Sequence, residues 1–138
     1  MSLTLSEETK NQWLDKFDTS YLSKIWATIM ICTPEIQKYA IHDKNQIKLI
    51  NSNAYLGLTE KAINLVALNP LDVTKIIGLF SIPRDQITKI DIQKKSFSYI
   101  VIFHLGTEII RTKMNLVAIG TNIKDQRRNV ENFIKYLK

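Results

Sequence analysis

Between Ile47 and Met114 the chain never leaves room for a crossover helix. Apolar runs of strand length follow one another, each bounded by a few turn-forming residues. Parallel strands in one sheet need a connection of roughly a dozen residues or more, so neighbouring strands here are expected to be antiparallel. Ile47 to Leu58 is rich in β-formers, with Ile50, Ala54, Leu56 and Leu58 in one register. Thr59-Glu60-Lys61 is a turn. Ala62 to Leu68 sends Val66 and Leu68 one way and Ile63 and Leu65 the other. Asn69-Pro70-Leu71-Asp72 is a loop, and Ile76 to Ile82 reads as a strand ended by Pro83, which has no N–H for an interior ladder. Ile87 to Lys94 alternates Ile90 and Ile92 with Lys89, Asp91 and Gln93, the pattern of a half-buried strand. Tyr99 to Leu105 is apolar on both faces, as a central strand would be, and Leu105-Gly106-Thr107 leads tightly into Glu108–Met114 to give a hairpin.

Helical spacing governs both ends. Thr4-Leu5-Ser6-Glu7 matches a capping box, and Ser6 before Glu7 and Glu8 offers a second start. Trp13, Leu14, Phe17 and Tyr21 then form a stripe. Asp18-Thr19-Ser20 supplies caps for another helix carrying Leu22, Ile25, Trp26, Ile29 and Met30, limited by Pro34. Residues 1–34 are therefore expected to be a helical extension, its two tryptophans core residues before they are a docking face. Asp43-Lys44-Asn45 marks a turn. A last helix is expected from about Asn122, as N-cap, to Tyr136, with Asp125 in its first turn and Lys135 and Lys138 in its last. Its apolar face holds Ile123, Val130, Phe133, Ile134 and Leu137, with Arg127 laying its stem across the core margin. Helices, consecutive strands and a closing helix make residues 1–138 one α+β domain.

Composition agrees with a globular chain, 45% of the 138 residues being apolar and 23% charged. Cys32 is the only cysteine, so the chain cannot form an internal disulfide or a cysteine-based zinc site, which suits a reducing compartment. The first thirty residues carry Glu7, Glu8, Asp15 and Asp18 and do not read as a signal peptide. The longest apolar stretch, Ile25 to Cys32, falls far short of the roughly 20 residues of a spanning helix, and a cytoplasmic protein is expected.

No catalytic, metal or cofactor signature stands above its ordinary structural meaning. His42 with Asp43, and His104 with Glu108, lack any ligand spacing, and His104 is better read as a sheet histidine with one hydrogen bond. Cys32 reads as a small buried hydrophobe. The four glycines are scattered singly and cradle no phosphate, and the 13 acids fall mainly in turns and on helix faces. The net charge of +6 arises entirely after residue 69. Lys89, Lys94, Lys95, Arg111 and Lys113 form the candidate basic surface, with Lys124, Arg127, Arg128, Lys135 and Lys138 on the last helix. Phe97 and Tyr99 lie among them but read as core.

AYLGLTEKAINLVALN (Ala54 to Asn69) resembles the strand–turn–strand of bacterial pleckstrin-homology-like domains, in which an apolar strand ends in a Thr-centred turn and returns. FSIPRDQITKIDI (Phe80 to Ile92) is similar to that family's proline-containing link into a strand. Ala62 departs from the pattern, standing where a basic residue is common just after the turn. The resemblance covers residues 47–138. It implies a strongly bent antiparallel sheet or partial barrel with one end covered by the C-terminal helix, and it assigns no activity; the rejected constellations make a non-enzymatic module without a cofactor the expectation. Such folds bind peptides, proteins or lipids, so the site must decide function. The leading expectation is a protein or peptide partner taken at a sheet edge. Docking to an anionic surface, lipid head groups or nucleic acid, comes second, and homo-oligomeric assembly third.

Overall fold

The computed structural model describes residues 5–41 and 51–138. Thr4, His42, the Asp43-Lys44-Asn45 turn and Ile47 to Ile50 lie outside them. The elements are α1 (Glu7–Leu14), β1 (Ser23–Cys32), β2 (Ser52–Leu58), β3 (Ala62–Leu68), β4 (Ile76–Pro83), β5 (Lys89–Lys94), β6 (Ser98–Leu105), β7 (Glu108–Asn115) and α2 (Gln126–Leu137). Two 3-10 turns, Pro34–Tyr39 and Arg84–Gln86, join them. Among the described residues the strands form one antiparallel sheet in the order β4-β3-β2-β1-β7-β6-β5, which does not close. No helix among the described residues is long and apolar enough to cross a membrane.

The N-terminal third corrects the expectation of two helices. Ser6 caps α1, its Oγ accepting from the Thr9 N–H at 3.3 Å, and Glu7 and Glu8 favour the dipole. The second stripe is a strand. Ile25, Ala27 and Ile29 are buried while Trp26, Thr28 and Met30 are half-buried, a period of two. Ile25, Trp26, Ile29 and Met30 satisfy a helical spacing as well. Partners on both sides and the β-branched residues Ile25, Thr28, Ile29 and Ile31 decide for the sheet. Asp18 caps no helix; its Oδ1 accepts from the N–H groups of Thr19 and Ser20 in a tight turn into β1.

β1 serves both halves of the sheet. It pairs with β2 from Ser23 to Ile29 and with β7 from Thr28 to Cys32, with a register shift at Met30. Leu56, Ile63 and Ile82 on one side and Phe103, Ile110 and Thr112 on the other line a single void of about 10 Å³. In a flat sheet β4 and β6 would stand roughly 24 Å apart at strand spacing, so the sheet must bend round to bring Ile82 and Phe103 together. α2 covers this inner face with Val130, Phe133, Ile134 and Leu137, all buried with Val101 and Phe103 in one cluster.

The start of α2 differs from expectation. Asn122 does not cap it: its N–H donates to Leu5 O at 2.7 Å and its carbonyl accepts from the Glu7 N–H at 3.1 Å. The helix begins after Asp125, which turns the chain at φ 56°, and Gln126 rather than Arg127 faces inward. At its other end Arg84 donates to Tyr136 O at 2.7 Å and to Thr59 O at 3.0 Å, tying the last turn of α2 to the β2–β3 turn.

α1 packs on the opposite, outer face. Leu5 and Leu14 join Tyr55, Val66, Leu68 and Ile123 there, with Trp13, Phe17 and Leu79 at the margin. Lys10 is buried beneath the helix, its Nζ 2.9 Å from Glu7 Oε1 and donating to Lys24 O at 3.2 Å.

Candidate functional site

A cleft of about 640 Å³ opens on the outer face where the end of α1 overhangs β3 and β4. Trp13 and Phe17 form one wall, Leu79 and Ala62 another, and Lys16, Asp18 and Lys61 the rim. Its floor is polar. Ser81 Oγ donates to Asn64 Oδ1 at 2.7 Å, Asn64 Nδ2 donates to Tyr21 Oη at 3.2 Å, and Tyr21 Oη donates to Leu14 O. A buried asparagine on an otherwise apolar strand requires such partners, because an unpaired amide there would cost about 1–3 kcal/mol. Burial pushes the Tyr21 phenol up to about 12, so it remains a neutral donor. Lys16 sits over the Trp13 ring, 4.1 Å from its centroid, holding a cation at the mouth.

The chain makes this cleft by two local devices. α1 stops at Leu14, and Lys16 and Phe17 turn back with N–H bonds to Trp13 O and Leu14 O. Thr59 Oγ1 accepts from the N–H groups of Lys61 and Ala62, which fixes the β2–β3 turn and places Lys61 on the rim. Of these residues Trp13 and Phe17 belong to the stripe expected in the core. The asparagine inside Ile63-Asn64-Leu65-Val66 was the signal that could have located the floor.

The five basic residues are divided between the two faces of the sheet and the turn beyond β5. Arg111 and Lys113 lie on the outer face, opposite Ile102 and Ile100 of β6, and Lys89 shares that face opposite His104. Lys94 pairs with Tyr99 and lies on the inner side, its Nζ 5.7 Å from the ring centroid. Lys95 is beyond the strand, in the turn closed by its N–H to Ser98 O at 2.7 Å. Pleat alternation divides the charge, and Asp91 interrupts it, 3.6 Å from Lys89. The Arg111 Nε is buried without a hydrogen-bond partner among the described residues.

Phe97, expected in the core, is 70% exposed because it stands in the turn before β6 rather than on the strand. His104 meets Asp91 across the strands, Nε2 to Oδ2 at 2.8 Å, not Glu108. The hydrogen bond from His104 holds the Asp91 carboxyl below its ordinary range. Burial, then Glu108, pushes the Cys32 thiol up to about 12, which opposes a thiolate at neutral pH. No group of three metal-ligating side chains occurs among the described residues.

The sheet edges are unequal. The outer edge of β4 is bridged by Ala40 opposite Phe80, with the Ile41 N–H donating to Leu79 O at 2.8 Å. β5 is short and carries Lys89 and Lys94, residues that discourage edge pairing. Compared with known proteins, the chain matches no family model, no curated protein and no solved structure.

Proposed function

We propose that this domain is a non-enzymatic recognition module of pleckstrin-homology-like architecture that takes a protein or peptide partner in the α1–β4 cleft. The carrying observation is the cleft itself: aromatic walls, a hydrogen-bonded polar floor and a charged rim in one concavity of ligand size. Two antiparallel meanders, β1–β4 and β5–β7, joined between β1 and β7 among the described residues, with a terminal helix on the inner face, support the architectural part. The bridged edge of β4 and the lysines of β5 favour insertion of side chains into the cleft over addition of a strand. A partner suited to it presents an aromatic or long aliphatic side chain for Trp13, Phe17 and Leu79, with a carboxylate near Lys16 and Lys61.

Selection of a displayed peptide library on the intact chain tests this. Selected peptides are expected to carry an apolar anchor next to an acid, and to weaken about tenfold or more against Lys16→Glu with Lys61→Glu. Peptides that bind this double variant and Trp13→Ala as well as the parent would place recognition elsewhere.

A further inference from the structure

We propose that the cleft selects an aromatic anchor bearing a polar hydrogen, an indole N–H or a phenol O–H, with Ser81 Oγ as its acceptor. This rests on the cleft reading above and narrows it. The polarity of the floor is set from outside the cleft. Leu14 O is a backbone carbonyl and can only accept, so the single hydrogen of Tyr21 Oη is committed to it. Tyr21 Oη must then accept from its other neighbour, which turns Nδ2 of the Asn64 amide toward it at 3.2 Å. Asn64 Oδ1 is thereby directed at Ser81, whose one hydroxyl hydrogen is spent on it at 2.7 Å. Turning the amide over would set its oxygen against the phenol oxygen with no hydrogen between them.

The sheet lines these groups up. Gly57, Asn64 and Ser81 are register partners across β2, β3 and β4. Tyr21 reaches Asn64 because Gly57 has no Cβ, which would overlap its ring. Asn64 is 3% exposed, whereas Ser81 is half-buried and lines the cleft, so Ser81 is the end of the relay that an occupant meets. Its hydrogen is committed and its lone pairs remain; among the described residues no group donates to them. The Tyr21 phenol, pushed up to about 12 by burial, keeps its hydrogen at neutral pH and so keeps the direction of the relay.

The rest of the lining offers different chemistry. Thr59 Oγ1 donates to Ala62 O at 3.2 Å while accepting from the Lys61 and Ala62 N–H groups. Asp18 Oδ1 already accepts from Thr19 and Ser20. Lys16 and Lys61 are donors at the rim, so an occupant's carboxylate belongs there and its donor belongs at the floor. A lysine or arginine anchor would bring its donor with a charge, against two lysines and one aspartate in the lining. Trp13 and Phe17 pack best on a ring. An indole or phenol satisfies walls and floor together, whereas phenylalanine or leucine would strip water from Ser81 and leave it without a donor.

Backbone-amide NMR titration of the full chain tests this with N-acetyl-tryptophan and its benzothienylalanine isostere, in which sulfur replaces the N–H. The tryptophan probe is expected to bind about fivefold or more tightly, with shifts centred on Asn64 and Ser81. N-acetyl-tyrosine should exceed N-acetyl-phenylalanine in the same sense. Ser81→Ala should bring both ratios near one. Tyr21→Phe should do so too, although Tyr21 is not among the lining residues, because the amide is then free to turn over and release the Ser81 hydrogen. A merely structural role for Tyr21 would weaken all four probes alike, and ratios unchanged in Tyr21→Phe would overturn the relay. Equal binding of the paired probes by the parent, or ratios that survive Ser81→Ala, would overturn the inference while the cleft stands as a site. Binding by none of the four overturns it as well, and the peptide selection then decides whether the cleft reading falls with it.

Discussion

The side-chain amide of Gln126 replaces a strand against the backbone of Trp26. Its Oε1 accepts from the Trp26 N–H at 3.1 Å and its Nε2 donates to the Trp26 carbonyl at 2.7 Å, with a further bond to Asn115 O at 2.8 Å. β1 and β7 pair only from Thr28 onward, and Gln126 fills the splay that remains. Gln126→Ala should orphan these groups and cost roughly 1–3 kcal/mol, more than the loss of an exposed glutamine. Chemical denaturation measures it, and a midpoint unchanged by the substitution would show that water replaces the amide without loss.

Gly57 lies in β2 under the ring of Tyr21, where an added Cβ would overlap the ring carbons. Gly57→Ala should therefore destabilise by roughly 1–3 kcal/mol, because the ring and its bond to Asn64 must shift. Pairing it with Tyr21→Ala should recover much of that loss in a double-mutant cycle. Additive costs would mean that ring and glycine do not oppose each other.

Glu7 contributes acid sensitivity. Burial works to raise its carboxyl, but hydrogen bonds from Lys10 and the Lys124 N–H, and the Lys10 charge, hold it below 4.5. A carboxylate lowered by folding stabilises above its unfolded value and loses that contribution as pH falls through the lowered one. Stability should thus decline below about pH 4.5, and Glu7→Gln should flatten this fall while lowering stability at neutral pH. Urea midpoints from pH 7 to pH 3 for both proteins check the sign. Parallel curves would remove Glu7 from the account.

Ile134 is buried in the inner cluster, so Ile134→Ala should cost roughly 2–5 kcal/mol. Lys135, exposed on the same helix, and Lys138, exposed just beyond its end, should tolerate alanine within about half a kcal/mol. Thermal unfolding of the three variants separates the faces.

The hairpins were legible because their connections are short and their arms are rich in β-formers, as at Thr59-Glu60-Lys61 between β2 and β3 and Gly106-Thr107 between β6 and β7; the strand order was not, because it turns on β1. β1 itself did not read as a strand, since Ile25, Trp26, Ile29 and Met30 fit both periods and only pairing with β2 and β7 distinguishes them. The same long-range effect hid the start of α2: Asn122 has a cap's chemistry, but its backbone is committed to Leu5 and Glu7. Phe97 reads as core in a strand and becomes exposed one residue outside it. The cleft needed tertiary structure altogether, because Trp13, Lys61 and Ser81 meet only when α1 lies across the sheet.

The shared strand also sets an order of assembly. β2–β3 and β6–β7 close over short turns and can form as soon as their own residues are present. Cys32 meets Ile110 only after most of the chain is available, so among the strand pairings of the sheet the β1–β7 seam bears the largest loop-closure entropy. Two locally formed meanders joined late along one strand would make the bent sheet a slow, seam-limited folder, with that seam the place where an unjoined half could instead recruit another copy.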